Sequence, residues 1–217
     1  MKGYKATLKK ENAQENKETR KRLLECAKEE FLEKGYMKAS LRNICKEAGV
    51  TTGALYFFFK DKEDLFGALV EEPLKQLYGA MEEHYTTEID HEEQVAQLDL
   101  TDNADLEASR QIIRHMYANR DAFLLILTKA QGSRYENCAD EIVEISEQQY
   151  RRLCDAVTSA AGKPRIDDYM THWMAHIMVD TFAHLFLHEK EESVALKHID
   201  ALTRYLTRGW MGMMSEE

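Results

Sequence analysis

The stretch SLRNICKEAGVTTGALYFFFKDKEDL, residues Ser40 to Leu65, decides the fold. Ser40 stands in N-cap position before Leu41, Ile44, Cys45 and Ala48, an i, i+3, i+4, i+7 stripe that predicts a two-turn helix ending at Gly49. A second helix starts at Thr51 or Thr52 and runs to about Phe59, and Asp61 caps another that begins with Lys62, Glu63, Asp64 and Leu65. The joint between the first two, Ala48 to Thr51, has the form of a helix-turn-helix corner, in which Gly49 allows the sharp bend and Val50 plugs it. Helices this short do not persist alone in water, so they must pack with a neighbour.

That neighbour lies just upstream. From Thr19 to Lys34 the apolar residues Leu23, Cys26, Ala27 and Phe31 recur at helical spacing, and Gly35 is the stop signal. Residues 1–17 are polar and lack apolar periodicity, which predicts a flexible tail. Lys2, Lys5, Lys9 and Lys10 in it are either simply solvated or a basic arm that reaches along a minor groove or a phosphate backbone. Downstream, the helix from Lys62 is expected to continue toward Tyr85 with a kink at Pro73, a natural domain junction. Residues 86–103 read as an acidic loop. Further helices are expected at about 104–118, 121–131, 137–161, 166–189 and 191–213, separated by Asn119-Arg120, Gly132-Ser133 and Gly162-Lys163-Pro164. The fold class is therefore all-α: a tail over 1–17, a three-helix helix-turn-helix domain over 18–65, and a larger helical body over 66–217.

Composition agrees with that division. Helix formers dominate and the prolines are Pro73 and Pro164 alone. The net charge of −10 is unevenly spread: residues 1–65 hold 15 Lys and Arg against 11 Asp and Glu, net +4, and the remainder hold 14 against 28, net −14. A basic end on an acidic body draws phosphate to that end only. Cys26, Cys45, Cys138 and Cys154 are far apart with no C-x-x-C pair, and read as reduced thiols in helices. No signal peptide, anchor or membrane span is legible, so the expected location is the cytoplasm and no membrane partner is expected.

The run from Gly49 to Leu65, with its Gly-Val, its Leu55-Tyr56-x-x-Phe59 core and the following Lys62-Glu63-x-Leu65, closely resembles the signature of the tetracycline-repressor (TetR) family of bacterial regulators. The resemblance extends from about Thr19 to Phe66. It implies an N-terminal DNA-binding domain, a divergent C-terminal domain that dimerises and binds a small-molecule effector, and repression relieved by that effector. Carried over position by position, Thr51, Thr52, Gly53 and Ala54 sit where the recognition helix enters the major groove. Tyr56 matches a phosphate-contacting tyrosine, and Lys62 a lysine aimed at backbone phosphate; Leu55 and Phe59 match buried positions. Ser40, Arg42, Phe57 and Lys60 complete the candidate DNA-contacting set. The chain departs from the common pattern at Thr52, Phe57 and Phe58, and its recognition helix carries no Arg, Asn or Gln, the side chains that make bidentate base contacts. Readout is therefore expected to lean on thymine methyls touched by Thr51, Ala54 or Phe57, with Arg42 either reading a base or holding a phosphate.

In the body, the segment Ile166 to Glu189 is apolar around most of its circumference, which suits a helix that faces both its own core and a partner. Paired with the last helix, where Ile199, Leu202, Leu206, Gly209 and Met213 fall in register, it predicts a four-helix homodimer interface. Two-fold symmetry suits a palindromic double-stranded operator with half-sites about 34 to 36 Å apart or multiples of that. Candidates to line an effector pocket are Met116, Tyr117, Phe123 and Leu127, with Tyr150, Met170, Trp173 and Met174 from the later helices; ordinary core packing is the other reading for each. His172, His176, Asp180, His184 and His188 recur every fourth residue and offer a metal-responsive alternative as i, i+4 chelating pairs. A drift of about 40° per step keeps all five from one site. No cofactor is expected, and no nucleophile with its base, phosphate loop or carboxylate pair marks an enzyme; hydrolysis at that His/Asp series is the remaining alternative.

Overall fold

The computed structural model describes residues 2–89 and 103–215, with side chains described over 12–85 and 104–213. All regular structure in these residues is helical: α1 (Lys2–Lys38), α2 (Leu41–Glu47), α3 (Thr52–Phe58), α4 (Lys62–Ile89), α5 (Asn103–Ala118), α6 (Arg120–Lys129), α7 (Cys138–Ala161), α8 (Asp168–His188) and α9 (Glu192–Ser215). The tail expected over 1–17 is helical from Lys2, a correction with a simple cause. Its Lys, Glu, Ala and Gln residues are good helix formers, and propensity extends the packed part of α1 without needing a buried face. Gly35 interrupts α1 where a stop was expected, with φ 74 and ψ 164, a backbone region that only glycine enters freely. Residues 86–89 of the expected acidic loop belong to α4, and residues 90–102 lie outside the described residues.

The chain forms two units, one of Met1–Glu72 with Asp121–Glu136 and one of Pro73–Arg120 with Asn137–Glu217. The first is larger than the segment 18–65 expected from sequence. Its core is built from the stripe Leu23, Ala27 and Phe31 of α1, with Ile44, Leu55, Phe59, Leu65, Phe66 and Val70, each at most 2% exposed. The turn after α6 joins it through specific bonds. The Arg134 backbone N–H donates to Glu63 at 2.9 Å, the Arg134 guanidinium pairs with Glu71, and the Tyr135 hydroxyl donates to Glu71 at 2.6 Å. The Tyr135 ring lies 5.8 Å from that of Phe66, and burial together with Glu71 pushes its phenol up to about 12.

The second unit pairs α5 with α9 and α7 with α8. Arg110 on α5 grips Asp200 on α9 with two bonds of 2.7 Å, and Thr203 donates to Ser109 at 3.0 Å in a buried position. One cluster centres on Ile113, Leu185, Ala195 and Ile199, another on Cys154 and Trp210. Pro73 begins this unit, and α4 passes through it as one helix, while His115 Nε2 lies 2.8 Å from the Pro73 carbonyl oxygen. No helix among the described residues is long and apolar enough to cross a membrane.

Candidate nucleic-acid interface

The expected recognition surface depends on how α2 and α3 are held. Glu30 falls on the apolar stripe of α1, seven residues beyond Leu23, and is only 4% exposed. Its carboxylate accepts from Lys34 Nζ at 2.8 and 2.9 Å, from the Ser40 backbone N–H at 3.0 Å and from Asn43 Nδ2 at 2.5 Å. Burial pushes its pKa up, but these donors outweigh burial and hold the carboxyl below its usual range. One carboxylate thus fixes the entry to α2. Sequence reasoning missed it, although an acidic residue in register with a helix's apolar stripe is a readable signal.

Ser40 caps α2, its hydroxyl accepting the Asn43 N–H at 3.4 Å. The corner follows: Gly49 has φ 66, its N–H donates to the Lys46 carbonyl at 3.1 Å, and the Val50 N–H donates to the Cys45 carbonyl at 2.9 Å. Thr51 then caps α3 by accepting the Ala54 N–H at 3.2 Å. Leu55 and Phe59 are buried as expected. Thr51, Thr52 and Gly53 are exposed, Ala54 is half-buried, and Tyr56 and Phe57 are 54% and 72% exposed. Phe57 stacks edge-on against Phe58 at 4.9 Å, so the two aromatic residues that depart from the family pattern support each other on this surface. Small side chains at the front of a short helix, an exposed tyrosine behind them, and an exposed phenylalanine make a surface that can approach base edges closely and contact thymine methyls.

Of the candidate cations, Arg42 is exposed on α2 and Lys60 is exposed beside α3. Lys62 is placed differently from expectation. Its ammonium donates to the Met37 carbonyl at 3.2 Å and sits 4.8 Å from the Tyr36 ring centre, and burial lowers its pKa. The Tyr36 hydroxyl in turn donates to Glu63 at 2.8 Å. Lys62 ties the start of α4 to the end of α1, and this tether is what an isolated motif match does not reveal.

The other candidates are scattered. Phe123 and Leu127 lie on α6 in the first unit, whereas Met116 and Tyr117 lie on α5 in the second. Tyr150 and Met174 pack beside Cys154 and Trp210, Met170 is half-buried and Trp173 is 46% exposed. Tyr117 stacks edge-on against Phe186 at 5.5 Å and donates its hydroxyl proton to the Glu189 carbonyl at 2.8 Å. Tyr117 thus packs with the Ile113 cluster and Tyr150 and Met174 with the Trp210 cluster, because apolar periodicity marks burial without naming neighbours. Along α8, His172 stacks on His176 at 4.6 Å and His184 on His188 at 4.2 Å, with Asp180 exposed between them. His172 Nδ1 is 2.7 Å from Glu147. Among the described residues no three or more His, Cys, Asp or Glu side chains form a group that could hold a metal. The cysteines are all free, and burial pushes the Cys138 and Cys154 thiols up to about 11 and about 12, which makes them poor nucleophiles.

Comparison with known proteins points to the same segment. Residues 23–69 match the family described as bacterial regulatory proteins, tetR family. The chain is 48% identical over 58 residues to the HTH-type transcriptional regulator AcrR of Shigella flexneri, 27% of either chain. It is 45% identical over 53 residues to the HTH-type transcriptional repressor BepR of Brucella suis biovar 1, 24% of this chain and 25% of that one. These matches span about a quarter of the relatives' length. A transcriptional regulator (TerR/AcrR family) from Aquifex aeolicus VF5 has the same fold, with TM-score 0.58 and 21% identity over 87% of this chain and 99% of that one. The helix-turn-helix built by α2 and α3 and braced by Glu30 thus lies within the matched segment, and residues 23–69 are similar to the bacterial regulatory proteins of the tetR family.

Proposed function

We propose that the chain is a transcriptional repressor that binds operator DNA as a homodimer and leaves it when a small molecule binds the second unit. The observation that carries the DNA-binding part is the exposed front of α3, Thr51 to Phe57, held by satisfied caps and by a buried carboxylate. In this reading Thr51, Thr52, Gly53 and Ala54 enter the major groove, Tyr56 and Lys60 contact phosphate, and Phe57 touches thymine methyls. Arg42 and Ser40 flank them from α2. Lys62 acts indirectly, by fixing α4 to α1. Dimerisation uses α8 and α9, which expose Tyr169, Trp173, Leu187 and Tyr205. Large apolar side chains left on two adjacent helices are what a second copy would cover.

The effector acts by population shift, favouring a geometry in which the two recognition helices of the dimer no longer fit adjacent grooves. α4 is the physical link, because its first residues belong to one unit and its later ones to the other. The test is salt-dependent binding to the DNA upstream of the protein's own gene, with random DNA of equal length as control. Saturable preference for the upstream fragment, weakening as salt rises, is the expected result. Equal weak binding to both overturns operator recognition at that site.

A further inference from the structure

Buried hydrogen-bond donors in folded proteins nearly always find acceptors, so those that do not call for an explanation. Among the described residues, three buried side-chain nitrogens lack a partner: Arg120 Nη1, Arg151 Nε and Trp210 Nε1. Two of them belong to one place. Trp210 on α9 is 6% exposed, its ring 5.9 Å from that of Tyr150 and packed with Cys154, Ile166, Met174 and Met211. Arg151 borders the same cluster, since its Nη1 donates to the Ile166 carbonyl at 2.7 Å. An indole N–H can only donate. What it needs is an acceptor, and no described group accepts a hydrogen bond from it.

The charge around the cluster restricts what that acceptor can be. Arg151 and Arg165 face Asp155 and Asp168 at 2.5 to 3.2 Å, two cations against two carboxylates. A further anion would meet two carboxylates whose charge is already matched, so a neutral acceptor fits better than an acid. The cluster consists largely of aromatic rings and thioethers, side chains that adapt to an apolar guest. We propose that the cluster around Trp210 binds a small, uncharged, mainly apolar molecule through a carbonyl-type oxygen that accepts the Trp210 indole N–H. This rests on the reading that the second unit holds an effector, and it names the chemistry of that effector.

The test uses the full chain labelled with ¹⁵N. Trp173 and Trp210 are the chain's two tryptophans, so two indole N–H signals are expected, told apart by Trp173→Phe. The probes are benzophenone and acetophenone, with diphenylmethane and ethylbenzene as mates lacking the oxygen and diphenylacetate as a charged counterpart. The expected result is a saturable downfield shift of the Trp210 signal with at least one ketone and no such shift with its hydrocarbon mate or with diphenylacetate. Trp210→Phe keeps the ring and removes the donor, and is expected to weaken ketone binding about five- to tenfold while leaving hydrocarbon binding unchanged. A Trp210 signal unmoved by either ketone, moved equally by the hydrocarbon mate, or moved equally by the acid overturns the proposal. Because no DNA takes part, a chain that shows the shift but binds no operator overturns the repressor reading alone. A chain that binds operator without the shift overturns this site alone.

Discussion

The two units differ in how completely they satisfy their buried polar groups. In the first, the buried Glu30 carboxylate has every approach filled by a donor: an ammonium, a backbone N–H and an amide. In the second, the three unpartnered buried nitrogens of the described residues are all found. In the proposed function, a surface that matches a DNA groove gains from a fully satisfied brace, which allows one geometry. In the same proposed function, a unit that responds to a guest gains from donors whose needs the fold leaves unmet.

The sharpest way to break the comparison is to remove the brace. Glu30→Ala leaves Lys34, Asn43 and the Ser40 N–H without their acceptor, and is expected to cost about 3 to 4 kcal/mol in urea unfolding. A loss under about 1 kcal/mol would show that α2 is held mainly by its apolar contacts. The same carboxyl has a pH signature. Its folded pKa is lowered, so its stabilisation is fully present above the unfolded value of about 4.3 and is lost as pH falls through the folded one. The gap in stability between wild type and Glu30→Gln should therefore be steady at neutral pH and close in acid.

Next in size is Gly53→Glu at the front of α3. A Cβ there meets only Thr51 Oγ1, at an ordinary 3.8 Å, so the fold tolerates it while a carboxylate is placed toward the DNA. Operator affinity should fall on the order of 100-fold with the melting temperature unchanged. Gly35→Ala separates backbone strain from packing: its Cβ would approach only the Lys129 carbonyl at 3.8 Å, yet φ 74 with ψ 164 disfavours any side chain. A cost of about 2 kcal/mol is expected from calorimetry. Arg42→Ala is expected to have the smallest effect, about 1 kcal/mol of discrimination between operator variants in competition binding. An unchanged ranking of variants with uniformly weaker binding would assign Arg42 to phosphate instead.

What was legible in the sequence was local. Ser40, Gly49, Thr51 and Asp61 act within four residues of themselves, and each one's effect is written beside it. Glu30 reaches Asn43 thirteen positions on, and Arg134 reaches Glu63 across 71; no spacing rule connects such pairs. That is why Lys62 reads in the sequence as aimed at phosphate yet bonds the end of α1, and why residues 121–136 read as part of the body although they group with the N-terminal helices. The candidate pocket residues were scattered for a related reason. An apolar stripe on α5, α6 or α8 says which face is buried, and several clusters compete to bury it.

The turn that closes α6 also bears on how this protein can be recombined with others. A chimera that joined residues 1–72 to a different C-terminal body would leave behind Arg134 and Tyr135, and with them the partners of Glu63 and Glu71 and the ring against Phe66. The N-terminal unit is not a detachable cassette. A graft that keeps this unit whole would have to carry both segments of the chain, which makes residues 121–136 an heirloom of the N-terminal unit lodged in the sequence of the other.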